Sequence, residues 1–282
     1  MTTTAPTVLI TGTSTGIGFQ TAVAAARAGF TVIATMRNLS RADALREAAA
    51  GAGGRLEIRA LDVTDAASVD LVVRGIVEEH GSLDAVVNNA GAASLGTVEL
   101  LAIDDFRASM EVNFFGVVNV TKAAMPHLRA SSGRVITVTS VGGVIGQPFN
   151  ESYCAAKFAA EGFLESLQPV AASVGVGVHM VEPGAVASEF VANAKIDPQA
   201  ALAAAGPYAP ALASYLERTA ASFSAAQSAE DVADVIVQAL QGDNVPFRVQ
   251  TSSGATSFVG VKLGDLDGAK VTGMTAGWVG AR

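Results

Sequence analysis

The 282-residue sequence contains one cysteine, three histidines and one tryptophan. A single cysteine, Cys154, excludes an internal disulfide and any cysteine-based zinc site. The histidines, His80, His127 and His179, are scattered without partners at ligand spacing, so no metal site is expected. Charge is also sparse: charged residues make up 16%, and 26 acidic against 18 basic side chains leave a net charge of −8. That balance argues against broad nucleic-acid binding and against docking on an anionic membrane. Half of the residues are hydrophobic and mean hydropathy is +0.40, yet no uninterrupted apolar run reaches the roughly 18 residues of a membrane span. The opening stretch MTTTAPTVLITG lacks a basic leader and a cleavable apolar segment. A cytoplasmic protein is the expectation.

What the sequence does have is a rhythm of short apolar runs and helical patterns. Strands are expected at Val8–Thr11, Thr31–Met36, Leu56–Leu61, Asp84–Asn88, Arg134–Thr139 and Gly177–Val181. Between them, Val69, Val72, Val73 and Ile76 recur at helical period after Thr64, which is read as the N-cap. Val232, Val235, Ile236, Ala239 and Leu240 do so after Ser228-Ala229-Glu230-Asp231, which fits a capping box. Asp104 is read as another N-cap, and His80, which ends a helix before Gly81, as its C-terminal cap. Such alternation predicts an α/β fold: a Rossmann-type, doubly wound parallel sheet with helices on both faces, in a single domain over residues 1–282. Two regions break the rhythm. Residues 189–227 are alanine-rich with Pro198, Pro207 and Pro210 as breakers, and are read as short helices over a site. Residues 242–282 are read as a tail with one strand (Phe247–Thr251), then irregular structure, with Trp278 anchoring it on the body or on a neighbouring subunit.

After the first strand come Gly12-Thr13-Ser14-Thr15-Gly16-Ile17-Gly18 and a helix. Glycines there let backbone N–H groups approach a pyrophosphate at a helix N-terminus. No Lys-Ser/Thr follows the second glycine, so this is not a Walker loop. The second strand ends in Met36-Arg37, where an acidic residue would bind the ribose 2′-hydroxyl of NAD; a basic group there favours NADP(H) over NAD(H). Farther on, Tyr153 and Lys157 lie at i,i+4 on one helix face. Ionising a phenol at neutral pH costs about 4 kcal/mol, which a neighbouring ammonium reduces. Such a pair suits acid–base catalysis, and equally suits an ordinary amphipathic edge.

Taken together, these motifs resemble the short-chain dehydrogenases/reductases over residues 5–241. The turn is similar to that family's TGxxxGxG motif, and Asp62-Val63 to its adenine-contacting pair. Asn88-Asn89-Ala90-Gly91 resembles its NNAG motif. Asn113 resembles the asparagine that anchors a water in the proton relay. Ser140 stands 13 residues before Tyr153, the family's spacing. Pro183, Gly184, Val186 and Ser188 resemble its nicotinamide-holding stretch. The resemblance implies catalysis by Asn113, Ser140, Tyr153 and Lys157, and a cofactor site of Gly12 to Gly18, Arg37, Asp62, Val63, Asn89, Ala90, Gly91, Tyr153, Lys157, Pro183, Gly184, Val186 and Ser188. Two departures stand out: Thr15 occupies a place often basic in NADP-dependent members, and Ser188 replaces a threonine. The Tyr–Lys spacing argues against the enoyl-reductase branch.

The stretch Gln147–Ala159 resembles that of 17β-hydroxysteroid and retinol dehydrogenases. This implies an apolar alcohol or ketone as partner, of steroid, retinoid, polyketide or acyl type. Val141, Gly142, Val144, Phe149 and Asn150, which flank Ser140 and Tyr153, are the expected pocket wall. Phe190, Tyr208, Leu212, Tyr215, Leu216 and Phe223 fit an apolar lid over 189–227, or simple core packing. A homodimer or homotetramer is the family habit. The alternative is a non-catalytic, dinucleotide-sensing regulator on the same fold.

Overall fold

Consecutive residues of the first strand part company across the sheet. Val8 and Ile10 enter one apolar cluster and Leu9 the other, the period-two alternation of a strand covered on both faces. The computed structural model describes residues 5–51, 53–190 and 197–280. Its strands are β1 (Thr7–Thr11), β2 (Thr31–Met36), β3 (Arg55–Ala60), β4 (Ala85–Asn88), β5 (Arg134–Val138), β6 (Gly177–Glu182), β7 (Val186–Ala187), β8 (Gln227–Ser228) and β9 (Arg248–Gln250). Seven form one parallel sheet in the order β3-β2-β1-β4-β5-β6-β9. The six expected strands are all present, their ends displaced by no more than one residue.

The helices are α1 (Gly16–Arg27), α2 (Asp43–Ala50), α3 (Ala66–His80), α4 (Ile103–Met110), α5 (Gly116–Ser131), α6 (Glu151–Ala172), α7 (Pro198–Ala204), α8 (Ala209–Ser224), α9 (Ala229–Gln241), α10 (Ser253–Leu263) and α11 (Ala269–Ala276). One face of the sheet buries Ala22 and Val23 of α1 with Val232 and Ile236 of α9. The other buries Val69, Val73 and Ile76 of α3, Val120 and Leu128 of α5, and Leu164 of α6. The doubly wound α/β architecture is thereby established. No helix among the described residues is long and apolar enough to cross a membrane.

Several local expectations need correction. Asp65, not Thr64, caps α3: its carboxylate accepts from the backbone N–H groups of Ala67 and Ser68, while Thr64 is bonded to Asp62. Asp104 lies inside α4 and pairs with Arg107; Asp105 instead accepts from the Ala102 N–H. Gly81, left-handed at φ 82°, closes α3, while His80 turns its ring to Glu57 at 3.4 Å. In the alanine-rich segment the prolines start elements rather than break them. Pro198 and Pro210 occupy first-turn positions, where a missing N–H has no intrahelical partner to lose. The helix α8 that follows runs 16 residues, so it is not short; residues 191–196 of this segment lie outside the described residues. The tail is not irregular either: β9 is followed by α10 and α11. Trp278 anchors it on the body, stacked on Phe258 and covered by the Arg218 guanidinium of α8 at 4.4 Å. The Ser228 capping box is present, with Ser228 and Asp231 exchanging hydrogen bonds.

Candidate active site

β1 hydrogen-bonds to β2 on one side and β4 on the other, so the strand order reverses there. Crevices of open α/β sheets lie at the carboxyl ends of strands at such a point. The turn from Gly12 to Gly18 occupies it. Thr13 donates both its N–H (3.0 Å) and its hydroxyl (3.1 Å) to the Thr35 carbonyl, tying the turn to the end of β2. Arg37, one residue beyond β2, is exposed beside it. Gly12 adopts φ 72°, a left-handed conformation that side chains rarely take, and a β-carbon there would lie 2.8 Å from Ala90 Cα. At Gly18 a β-carbon would lie 2.3 Å from Asn89 Nδ2 and 2.4 Å from the Gly12 carbonyl. Asn89 itself stitches β4 to the turn, donating Nδ2 to the carbonyls of Thr11 (2.9 Å) and Gly12 (3.0 Å). The first turn of α1 holds no acidic residue, so its positive end faces the crevice without a resident anion.

The remaining nucleotide-site candidates converge on this crevice unevenly. Ser188 stands across from Gly16, whose β-carbon would meet its Cβ at 3.2 Å. Pro183 accepts from the Val141 N–H at 3.0 Å, and Val186 is buried in β7. Gly184 faces Ala255 of α10. Asp62 is fastened to Thr64, and Val63 packs against Gly116 with its carbonyl held by Asn119. Gly91 lies between Asn113 and Lys157, 3.0 Å and 3.8 Å from where its β-carbon would be.

The four catalytic candidates come together from three elements. Asn113 is fully buried in a π-turn, Glu111–Phe115, that interrupts the helix between α4 and α5. Such bulges are frequent at functional sites. Its Nδ2 donates to the carbonyls of Ala92 (3.0 Å) and Ser109 (3.1 Å), and its Oδ1 accepts from the Ala92 N–H. Ser140 follows β5 and its Oγ accepts from the Gly142 N–H at 3.0 Å; Ser140 Oγ and Tyr153 Cε1 both border Gly142. Lys157, buried on α6, donates Nζ to the Val138 carbonyl at 3.0 Å and lies 5.8 Å from the Tyr153 ring centre. Burial raises the Tyr153 phenol well above its ordinary value, against the lowering effect of Ser140. Burial pushes Lys157 down to about 8, against the Glu161 carboxylate, which raises it. Cys154 is buried and its thiol is pushed up to about 11 by desolvation, so nothing there activates it.

Of the expected pocket wall, Gly142 adjoins both reactive groups: its β-carbon would lie 3.3 Å from Ser140 Oγ and 3.4 Å from Tyr153 Cε1. Val141 and Val144 pack with Ile145 under Ala255 and Val259 of α10. Phe149 and Asn150 turn toward α8, where the Phe149 ring tilts on Tyr215 at 5.8 Å and Asn150 donates to the Tyr215 hydroxyl. Phe149 has φ 59°, a conformation that costs roughly 1–2 kcal/mol away from glycine; its carbonyl is held by the Gly96 N–H at 2.8 Å. Phe190 meets Tyr153 edge-on, with ring centres 5.9 Å apart. Leu212 and Tyr215 are buried with Phe149, Ala205 and Trp278, whereas Phe223 remains exposed.

Two features escaped the sequence reading. Glu161, Glu182 and Arg248 gather behind Lys157; the Lys157–Glu161 i,i+4 spacing is the one signal that pointed there. His80 also groups with Glu57 and Glu79, within 4.8 Å of one another. The Arg59 guanidinium already pairs with both carboxylates there, at 3.0 Å and 2.7 Å.

A family model described as short chain dehydrogenase matches residues 6–199. The chain belongs to the short-chain dehydrogenase family. This oxidoreductase is 36% identical over 274 residues to retinol dehydrogenase 8 of Bos taurus, covering 93% of this chain and 86% of that protein. It is also 36% identical over 277 residues to 17-beta-hydroxysteroid dehydrogenase type 1 of Homo sapiens, covering 95% and 84%. A solved short-chain dehydrogenase from Streptomyces avermitilis superposes with a TM-score of 0.76 at 29% identity, covering 99% of this chain and 98% of that one. Neighbours of the same fold include complexes with 5-hydroxy-NADP and with NAD, so the fold alone does not choose the dinucleotide.

Proposed function

We propose that this short-chain dehydrogenase is an NADP(H)-dependent enzyme interconverting a secondary alcohol and a ketone on an apolar substrate. The observation that carries the reading is the convergence of Ser140 and Tyr153 on either side of Gly142, with the Lys157 ammonium 5.8 Å from the phenol ring centre. A regulator that only senses the dinucleotide has no need of that arrangement. The crevice fits a dinucleotide: Gly12 and Gly18 leave a floor that any β-carbon would fill, beneath the positive end of α1. Gly12 to Gly18 would hold the pyrophosphate, and Asp62 and Val63 the adenine. Arg37 would hold the 2′-phosphate as a charge-assisted partner. Asn89, Ala90, Gly91, Pro183, Gly184, Val186 and Ser188 would line the nicotinamide end. When bound, the dinucleotide supplies or accepts the hydride.

The chain's own residues manage the proton and the oxygen. Ser140 Oγ accepts from the Gly142 N–H, which leaves its proton to donate to the phenol or to the substrate oxygen, where charge develops. In reduction Tyr153 gives its proton to that oxygen; in oxidation it takes one back. Lys157 stabilises the phenolate against a burial that disfavours it. Asn113, held by Ala92 and Ser109, would anchor the water that links Lys157 to solvent. Gly142, Phe149, Asn150, Phe190 and Tyr215 would face an apolar substrate, and Val141 and Val144 would back that wall.

The relatives named for retinol and 17β-hydroxysteroid chemistry support an apolar substrate. Exposed Ile103, Phe115 and Val170 support pairing of copies through the helices around Asn113 and Tyr153. The test is Tyr153→Phe, assayed with NADPH on a panel of steroid, retinoid, polyketide and β-ketoacyl substrates. Turnover should fall by roughly two to four orders of magnitude with the fold intact; undiminished turnover would remove Tyr153 as the proton donor.

A further inference from the structure

Behind Lys157, one helical turn along α6, lies a buried carboxylate that the proton chemistry above does not use. Glu161 is 3% exposed. Its Oε2 accepts from Arg248 of β9 at 2.7 Å. The same guanidinium donates to Glu182 of β6 at 2.6 Å and to Glu165 of α6 at 2.9 Å. Glu182, with no exposure at all, also accepts from Gln250 at 2.7 Å. The other Glu161 oxygen, Oε1, is buried with no hydrogen-bond partner. The nearby Thr139 hydroxyl is given to the Val181 carbonyl at 3.2 Å. A β-carbon on Gly143 would lie 2.3 Å from that same Oε1. The carboxyl group therefore lies against the Val141–Gly143 turn that follows Ser140, one helical turn along α6 from Lys157.

A buried acid with one oxygen unsatisfied is an expensive feature to keep for packing alone. The charges around it give it an electrostatic use. On α6 it faces Lys157, Tyr153 and Glu165; from β6 it faces Glu182, from β9 Arg248, and from α10 Lys262. Side chains at i and i+4 of a helix are neighbours, so the Glu161 carboxylate shares a face of α6 with the Lys157 ammonium. Arg248 fixes it there and offsets part of the repulsion from Glu182.

We propose that Glu161 is a positioning residue for the reaction: clamped by Arg248, its carboxylate keeps Lys157 charged and braces the turn that carries Ser140. This rests on the acid–base reading of Tyr153 and Lys157. Burial and Glu182 push the Glu161 carboxyl up to about 7, while Arg248 opposes the rise. Charge on this carboxyl in turn raises Lys157 and delays the loss of its proton.

The test is Glu161→Gln, with Glu161→Met as a second charge-free variant in case the amide does not fold. Two readouts apply. In the pH profile of ketone reduction, the basic limb should move down by about one unit, the order of support that a neighbouring opposite charge gives an ammonium. In the protein without cofactor, NMR of isotope-labelled lysine should show the Lys157 midpoint falling in the same direction; its signal is identified by its loss in Lys157→Met. Glu78→Gln, exposed on α3 and outside the Arg248 cluster, should leave both in place. An unmoved limb and an unmoved Lys157 midpoint in Glu161→Gln or Glu161→Met would overturn the proposal, even if turnover dropped, because a purely structural role predicts that result. Tyr153→Phe with surviving turnover would instead sink the acid–base reading, and the lysine titration would still report on Glu161.

Discussion

Lys157 gives its ammonium to the carbonyl oxygen of Val138 at 3.0 Å. The bond fixes the amine at the carboxyl end of β5, two residues before Ser140, but the site remains buried and holds Lys157 down to about 8, against an ordinary 10.5. The folded state therefore binds this proton less tightly than the unfolded chain. Below about pH 8 both states carry it and the full penalty, on the order of 3 kcal/mol, weighs on the fold. Between about 8 and 10.5 the folded state releases it first, and the penalty fades. Lys157→Met should accordingly melt at a higher temperature than the wild type at pH 7 while losing turnover, and its advantage should shrink as the pH rises from about 8 toward 10.5. Calorimetry across that range checks it; a lower melting temperature at neutral pH would show that the Val138 bond outweighs the desolvation.

Arg37 separates the two dinucleotides. It stands exposed at the end of β2, where Thr13 ties the glycine turn to the Thr35 carbonyl. A guanidinium there gains most from a doubly charged phosphate and little from a ribose hydroxyl. Arg37→Ala should weaken NADPH binding by about tenfold, one charge-assisted contact, and leave NADH binding nearly unchanged. The difference should narrow in high salt, since the site is open to solvent. Fluorescence titration with each nucleotide measures it. Equal wild-type efficiency with NADH and NADPH would refute the role given to Arg37.

Gly18 tests the cradle itself. A β-carbon there collides with Asn89 Nδ2 at 2.3 Å and with the Gly12 carbonyl at 2.4 Å. Neither neighbour can retreat cheaply, because Asn89 is pinned by the Thr11 and Gly12 carbonyls and the second contact is backbone. Gly18→Ala should destabilise the fold by about 1–3 kcal/mol and abolish dinucleotide binding at concentrations that saturate the wild type. Gly162→Ala is the control: it lies on a helix with open space around it, and should be neutral or slightly stabilising.

The parts legible in the sequence are those in which neighbouring residues carry the signal. The strands β1, β2 and β4 are fully buried, and their apolar runs read directly. Tyr153 and Lys157 sit one turn apart, so their meeting needed no tertiary information. Local rules failed where two neighbours competed: Thr64 and Asp65 both suit a cap, and Asp62 took the threonine. They failed again in α10, where Ala255, Phe258, Val259 and Val261 alternate with glycine and serine and leave no helical stripe to detect. The Glu161–Arg248 pair joins residues 87 positions apart. Lys157–Glu161 looks like an exposed helix pair until β9 is placed at the sheet edge.

Arg248 shows how strongly that edge strand is committed. Replacing it with leucine leaves Glu161 and Glu182, 3% and 0% exposed, without their guanidinium. Removing one partner of such a buried set costs about 3–5 kcal/mol, far above the value of the exposed Arg46–Asp43 pair, for which a median surface bridge contributes at most ~1 kcal/mol. The sign with pH follows from Glu161. Its folded-state value is raised, to about 7 from 4.5, so the folded protein holds the proton more tightly than the unfolded chain, and stability from this group falls as pH rises between those values. Loss of Arg248 removes the influence that opposed the rise and widens the window upward. The Arg248→Leu deficit should therefore be largest above neutrality and shrink on acidification toward pH 5, where a protonated Glu161 no longer needs a counter-charge. Denaturant melts at pH 5, 7 and 8.5 would read this trend, and a deficit independent of pH would show that Arg248 acts through packing of β9 rather than through the carboxylates it holds.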